Sequence, residues 1–338
     1  MSAATSEGSS TRPWSRAWWR TLLAPRTAGM DPSTPSASPW VFLLLSALLA
    51  LQVIARYKLG FLDGKEWQLA HVAIGWAIVL GVLALAHGPG MIRRVGGRTW
   101  ALLAVGMIFL MLFWYVGRSD GYRDLFGAPP YETETLAPLY PFAYFALGAV
   151  AYRMLLPFVF ARFALGRGPR SLGLPVGRIG SEGAGHLRGV GWIYLGLFVL
   201  IAGPLVIASQ FSDYLAKYPL ARDIISPELG IWIWHFVVYE ALYALVFVSG
   251  EAFWRGYLTF GTERDLGLYG ISLMLVPYVT GHFGKPFSET LGAIVAGSLL
   301  GFLALKHRSV WFGVALHYGV ALSMDLLAVW RNGIVIHG

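Results

Sequence analysis

The chain of 338 residues is 56% hydrophobic and only 13% charged, about half the charged fraction of a soluble domain, which excludes an ordinary soluble enzyme and indicates a protein of the lipid bilayer. Its formal charge of +8 lies mostly in short loops between apolar runs, which is typical of membrane topology and argues against a nucleic-acid partner. The absence of cysteine excludes disulfides, thiolate metal ligands and a cysteine nucleophile.

Residues 1–38 are rich in Ser, Thr, Pro and Ala, which predicts a flexible cytoplasmic tail. Nine apolar runs follow, and each is near the roughly 17 to 25 residues that a spanning helix needs. They cover approximately residues 40–55, 67–86, 100–116, 139–163, 190–208, 231–253, 268–282, 291–305 and 310–330. Basic and acidic loops alternate between them, which predicts an integral protein of the cell (inner) membrane with a cytoplasmic N-terminus.

The runs fall into two sets, separated by a basic, glycine-rich stretch. The predicted fold is therefore an all-α polytopic bundle of about nine transmembrane helices. Its parts are a tail (1–38), an N-terminal four-helix membrane bundle (39–165), the basic loop (166–188) and a C-terminal membrane domain (189–338). No internal repeat is visible, which argues against the inverted-repeat transporters.

Ionisable side chains inside spans are costly and mark functional sites, and they are concentrated in the C-terminal set. Glu251 and Arg255 are four residues apart and pair on one helix face. His282 ends one run, and His317 lies within the last. A glutamate and two histidines from different helices can activate water, because imidazole binds a metal or a water while the carboxylate takes a proton. The alternative is that these groups only join helices by hydrogen bonds.

Three stretches resemble the motifs of one family. SGEAFWRGYL at residues 249–258 resembles the first motif, Glu-Glu-x-x-x-Arg, of the CAAX-protease and bacteriocin-processing (CPBP) family of intramembrane proteases. Tyr278 four residues before His282 resembles the second motif, and His317 resembles the start of the last, His-x-x-x-Asn or Asp. Their order and spacing agree with the family over residues 230–325, about a quarter of the chain.

The resemblance implies that residues 189–338 form a CPBP-like protease domain. The implied activity is an intramembrane endopeptidase that acts on a membrane-associated, prenylated or C-terminally tailed protein, with the bilayer as its other partner. Glu251 matches the second glutamate of the family, Arg255 its arginine, and His282 and His317 its histidines. A divalent metal such as zinc, held by Glu251, His282 and His317, is one expectation; the same groups could instead hold only a water.

Two positions depart from the family pattern. Gly250 stands where the family has its first glutamate, which with the second-motif histidine is thought to activate the attacking water, and Ala321 stands where it has Asn or Asp. Either Glu251 has become the general base, with Glu240 or Glu289 assisting, or the protein has lost proteolysis. In the second case it serves as a scaffold, an immunity factor or a partner of another protease.

Two further expectations concern the surroundings of the site. Asp325 lies about 6 Å beyond Ala321 along its helix, so we do not expect it to replace the missing Asn or Asp. Residues 277–286 contain two prolines and two glycines and are expected to be an irregular segment. Non-helical backbone within a membrane is tolerated where it lines a cavity, which places this segment at the active site.

Overall fold

A computed structural model describes residues 37–130, 132, 135–174, 189–226, 228 and 230–338. These residues form an all-α polytopic bundle, which confirms the predicted fold class. The predicted tail, apart from its last two residues, and most of the predicted basic loop lie outside the described residues.

The α-helices in chain order are α1 (Pro39–Leu59), α2 (Gln68–His87), α3 (Gly90–Arg93), α4 (Gly97–Tyr115), α5 (Ser119–Phe126), α6 (Tyr140–Val150), α7 (Leu156–Phe163), α8 (Val190–Ala208), α9 (Ser212–Lys217), α10 (Ile233–Glu251), α11 (Gly261–Leu266), α12 (Tyr269–Thr280), α13 (Phe287–His307) and α14 (Trp311–Arg331). Two π-helical segments, Ala151–Leu155 and Ala252–Phe260, join α6 to α7 and α10 to α11. Short 3₁₀ turns cover Lys65–Trp67, Ala137–Leu139, Pro169–Leu172 and Arg222–Ile224. Strands β1 (Gly230–Trp232) and β2 (Val335–His337) pair in parallel, with Gly230 opposite Val335.

In the described part of the chain, eight helical segments are long and apolar enough to cross a membrane. They are Pro39–Leu59, Lys65–His87, Gly97–Tyr115, Ala137–Phe163, Val190–Ala208, Ile233–Leu266, Phe287–His307 and Trp311–Arg331. The remaining predicted run forms α12, which has 12 residues, all of them buried. At about 1.5 Å per residue, α12 reaches far less than the ~30 Å of a hydrocarbon core. The predicted count of about nine transmembrane helices thus corresponds, in the described residues, to eight long candidate spans and one short, buried helix.

The sixth span continues well beyond the predicted end of its apolar run at residue 253. It extends through the π-helical segment Ala252–Phe260 to Leu266 and is 34 residues long. The added residues include Thr259 and Thr262, whose polar side chains lower the hydropathy but are buried and bond within the helix. The hydroxyl of Thr259 donates to the carbonyl of Trp254, and that of Thr262 donates to the carbonyl of Leu258. A polar stretch can therefore remain helical inside the bundle.

One hydrophobic core takes side chains from both sets of spans. Helix α10 packs against α6 and α14, and α12 packs against α2 and α13. Gly297 lets α13 approach α12 closely, because a Cβ atom there would lie 2.6 Å from a methyl of Leu275 and 2.8 Å from the ring of Tyr278. The end of α10 and the helix α12 are consequently held at the centre of the molecule, where the candidate site is found.

Candidate functional site

Glu251 is the centre of a buried polar cluster at the junction of α10 and the following π-helical segment. Its side chain is only 1% exposed. One carboxylate oxygen, Oε1, accepts a hydrogen bond from Nη1 of Arg255 at 2.7 Å and another from Nδ1 of His317 at 2.9 Å. The structure thus brings together three of the four predicted site residues, and it confirms the predicted pairing of Glu251 with Arg255 on one helix face.

Helix α14 reaches this carboxylate with its backbone as well as with His317. A Cβ atom at Gly313, one turn before His317, would lie 2.7 Å from Oε2 of Glu251. Oε2 itself accepts no hydrogen bond from any described residue. Glycine at position 313 is therefore what allows α14 to lie against the carboxylate and to hold His317 at hydrogen-bond distance from it.

Arg255 connects the cluster to two more helices. Its side chain is fully buried, and Nη2 lies 3.5 Å from the carbonyl oxygen of Gly297 in α13. The guanidinium also lies over the ring of Tyr278 in α12, 4.7 Å from its centroid. Arg255 and Glu251 offset each other's charge, and breaking such a buried pair by removing one partner costs about 3–5 kcal/mol.

His317 is the more accessible member of the cluster, with 25% of its side chain exposed. Its ring packs 4.6 Å from the ring of Phe247. Because a carboxylate only accepts hydrogen bonds, the 2.9 Å contact requires the proton on Nδ1 of His317. In the neutral imidazole this tautomer leaves Nε2 as an acceptor, so His317 can take a proton from a water at that atom.

His282 reaches the same region through Tyr278. It lies in the turn after α12, and its Nδ1 donates to the carbonyl of Tyr278 at 2.8 Å. The ring of Tyr278 lies 4.7 Å from the His282 ring and 6.4 Å from the His317 ring. Thr290 Oγ1 donates to the backbone carbonyl of His282, which fixes the turn. The two histidines thus share Tyr278 as a neighbour, and of the expected irregular segment 277–286 only residues 281–286 are non-helical.

The metal site expected from the sequence is not assembled in this structure. No three His, Asp or Glu side chains among the described residues lie close enough together to hold a metal ion. Glu251 is bonded to Arg255 and His317, and His282 uses Nδ1 for the Tyr278 carbonyl. The arrangement does not match the ligand set Glu251, His282 and His317.

The other acidic residues considered from the sequence bond elsewhere. Glu240 accepts from Tyr318, Asp325 from Tyr239, and Glu289 from Tyr218 and Lys285. Asp325 faces α10 about 18 Å before Glu251 along that helix, so it does not replace the missing Asn or Asp. Neither Glu240 nor Glu289 contacts Glu251, and the expected assistance from these two residues has no structural basis here.

Sequence reasoning missed Arg153. This arginine lies in the π-helical segment Ala151–Leu155 and is 8% exposed. Its Nη1 lies 3.5 Å from the position that a Cβ atom of Gly250 would occupy, which is where the glutamate side chain of the family would begin. An arginine within an apolar run is itself a signal of function, but nothing in its spacing relates it to position 250.

Comparison with known proteins agrees with this geometry. Residues 231–323 match the family model described as type II CAAX prenyl endopeptidase Rce1-like, and this range contains Glu251, Arg255, His282 and His317. Comparisons with curated proteins and with solved structures each found no match. The match over residues 231–323, about a quarter of the chain, supports membership of the CPBP family of CAAX-type intramembrane proteases.

Proposed function

We propose that this protein is an intramembrane endopeptidase that hydrolyses a peptide bond near the C-terminus of a membrane-associated or lipidated protein. The observation that carries the proposal is the buried hydrogen bond of 2.9 Å between Glu251 and Nδ1 of His317. It holds the imidazole in the tautomer and orientation that a general base requires. The family match supports a peptide as the substrate.

In the proposed reaction, Nε2 of His317 takes a proton from a water whose oxygen attacks the carbonyl carbon of the peptide. The electron pair of the carbonyl double bond moves to its oxygen and gives a tetrahedral intermediate. The imidazolium then returns its proton to the leaving nitrogen as the carbon–nitrogen bond breaks. The products are a new carboxylic acid and a new amine, so that one water is consumed for each bond broken.

Glu251 supports this proton transfer without leaving its place. The carboxylate stabilises the imidazolium through the bond to Nδ1, and Arg255 keeps the carboxylate ionised and fixed. The role differs from that expected from the sequence, in which Glu251 itself was the general base. A positioned general base contributes about 10²- to 10⁴-fold to a rate.

One observation favours a second candidate, a non-enzymatic member of the family that binds another protein. The Glu251 side chain is 1% exposed and already accepts two hydrogen bonds. Gly250 and Ala321 supply neither of the two polar groups that the family places there. In this candidate, the cluster of Glu251, Arg255 and His317 stabilises the fold of a scaffold protein.

The test compares the C-terminal peptides of membrane proteins from cells that carry the wild type or Glu251→Gln, measured by mass spectrometry. If the protein is a protease, it removes defined C-terminal tails, which persist only in cells that carry Glu251→Gln. The matched control is Glu240→Gln, because Glu240 is also a buried glutamate of α10 but accepts its hydrogen bond from Tyr318. If tails are identical in all three strains while Glu251→Gln is folded and abundant, the second candidate replaces the protease.

A further inference from the structure

Arg153 is a buried cation that contacts no acidic side chain among the described residues. Its Nη2 donates to the carbonyl of Val246 at 2.7 Å and to the hydroxyl of Ser249 at 2.9 Å. The guanidinium lies 4.6 Å from the ring centroid of Phe113, and Nε has no acceptor among the described residues. Because these hydrogen-bond acceptors are neutral, they do not compensate the positive charge of the Arg153 guanidinium, and an uncompensated charge is costly in a bilayer.

Glu251 attracts Arg153 electrostatically but forms its hydrogen bonds with other residues. The charged groups that act on it are Arg118, which repels it, and Glu251, which attracts it. Oε1 of Glu251 already accepts from Arg255 and His317. Arg153, Arg255 and Glu251 taken together therefore carry one net positive charge.

The excess charge faces the position of the missing glutamate. A Cβ atom on Gly250 would lie 3.5 Å from Nη1 of Arg153 and 3.7 Å from the indole Nε1 of Trp254. Both atoms belong to groups that only donate hydrogen bonds. Their separation from this point is an ordinary van der Waals distance, so a Cβ atom at position 250 would not displace either donor group.

The local helix geometry supports a binding role. Arg153 lies in one π-helical segment and Trp254 in the other, and the two segments pack against each other. Single π-helical stretches inside α-helices occur frequently at functional sites. Here each of them turns a donor group toward Gly250.

We propose that Arg153 and Trp254 form a carboxylate-binding site beside Gly250. The ligand is a compact carboxylate, supplied either as a free small anion or as the C-terminal carboxylate of a bound peptide. It restores the negative charge that a glutamate at position 250 would bring. The free-anion source is independent of the proposed hydrolysis, whereas the peptide source rests on it.

The probe for the first source is sodium formate, added to the purified full-length protein in lipid nanodiscs. The thermal midpoint is compared with that in sodium gluconate of equal ionic strength, because gluconate is a much larger carboxylate than formate. At tenfold excess over its dissociation constant, formate should raise the midpoint by about 2–4 °C. The shift should vanish in Arg153→Gln and in Gly250→Glu, whose own carboxylate fills the site.

The matched controls separate charge from helix propensity and from general loss of arginine. Gly250→Gln adds the same side-chain length as Gly250→Glu without charge, and Arg162→Gln removes an exposed arginine of α7. Gly250→Glu should be more stable than Gly250→Gln in the absence of formate. Arg162→Gln should keep the full response to formate.

The probe for the second source is N-acetyl-leucyl-leucine, as the free acid and as the amide. The site is supported, with a peptide carboxylate as its ligand, if the acid but not the amide raises the thermal midpoint and Arg153→Gln abolishes this rise. This result holds even if the binding of formate is too weak to detect. The proposal is overturned if neither formate nor the acid stabilises the wild type more than its control compound and Gly250→Glu is no more stable than Gly250→Gln. Because none of these measurements requires catalysis, they remain decisive if the protein does not hydrolyse peptides.

Discussion

Gly313→Ala tests whether the close approach of α14 holds the site together. The new Cβ atom would lie 2.7 Å from Oε2 and 3.4 Å from Cδ of Glu251. An ordinary carbon–oxygen contact is about 3.3 Å, so the carboxylate has to retreat by about 0.6 Å from the helix that carries His317. That movement stretches the 2.9 Å bond between Oε1 and His317 by up to 0.6 Å, to at most about 3.5 Å, which weakens or breaks it.

The expected losses of stability and of catalytic rate in Gly313→Ala follow from these distances. A hydrogen bond to a charged group contributes about 1.5–3 kcal/mol, and the variant should lose that much stability. A displacement of this order in a catalytic group costs about 10²-fold in rate. The assay measures the thermal midpoint of the purified protein and the rate at which it produces new C-termini in membranes.

Gly319→Ala is the matched control, because it lies on the same helix and its Cβ atom would meet Phe198 at an ordinary 3.5 Å. Both variants gain the same helix propensity, so their difference isolates the contact with Glu251. The reasoning is refuted if Gly313→Ala is as stable and as active as Gly319→Ala. The difference in stability between Gly313→Ala and Gly319→Ala is expected whether the protein is a protease or a scaffold.

Two further predictions concern the cluster and its support. Arg255→Met should lower the free energy of unfolding by about 3–5 kcal/mol, because it leaves Glu251 buried without its main partner. Lys285→Met, which breaks the partly buried pair with Glu289, should lower it by about 1 kcal/mol or less in the same denaturation assay. Equal losses in the two variants would show that burial of the ion pair does not decide the effect. Gly297→Ala should lower the stability of the protein by about 1–3 kcal/mol, because the new Cβ atom overpacks α13 against Leu275 and Tyr278. Gly292→Ala, whose Cβ atom would meet nothing within 4 Å, should not destabilise the protein. Equal thermal midpoints for the two variants would contradict the close packing of α12 and α13.

Hydropathy was enough to place the spans but not their lengths. The predicted run 190–208 coincides with α8. The sixth span was cut short at residue 253, because Arg255, Thr259 and Thr262 lower the hydropathy of a stretch that lies inside the bundle. A hydropathy profile identifies helix residues that contact lipid, and it does not detect helical residues that are surrounded by protein.

The site was predictable where its partners are neighbours in sequence or share a motif. The spacing of Glu251 and Arg255 predicts their bond, and the motif order associates them with His317. The position of Arg153 beside Gly250 was not predictable, because it depends on how a span of the first set packs against α10. Such contacts between distant segments leave no spacing pattern in a single sequence.

The most direct test of the central claim is isotope incorporation during peptide cleavage. Membranes from cells that lack the protein are incubated with the purified protein in H₂¹⁸O, and new C-termini are analysed by mass spectrometry. Hydrolysis with His317 as the base predicts one ¹⁸O atom in each new carboxyl group, with formation of these termini reduced about 10²- to 10⁴-fold in His317→Gln. If the wild type forms no new termini, or if His317→Gln forms them at the wild-type rate, hydrolysis driven by the Glu251–His317 pair is contradicted.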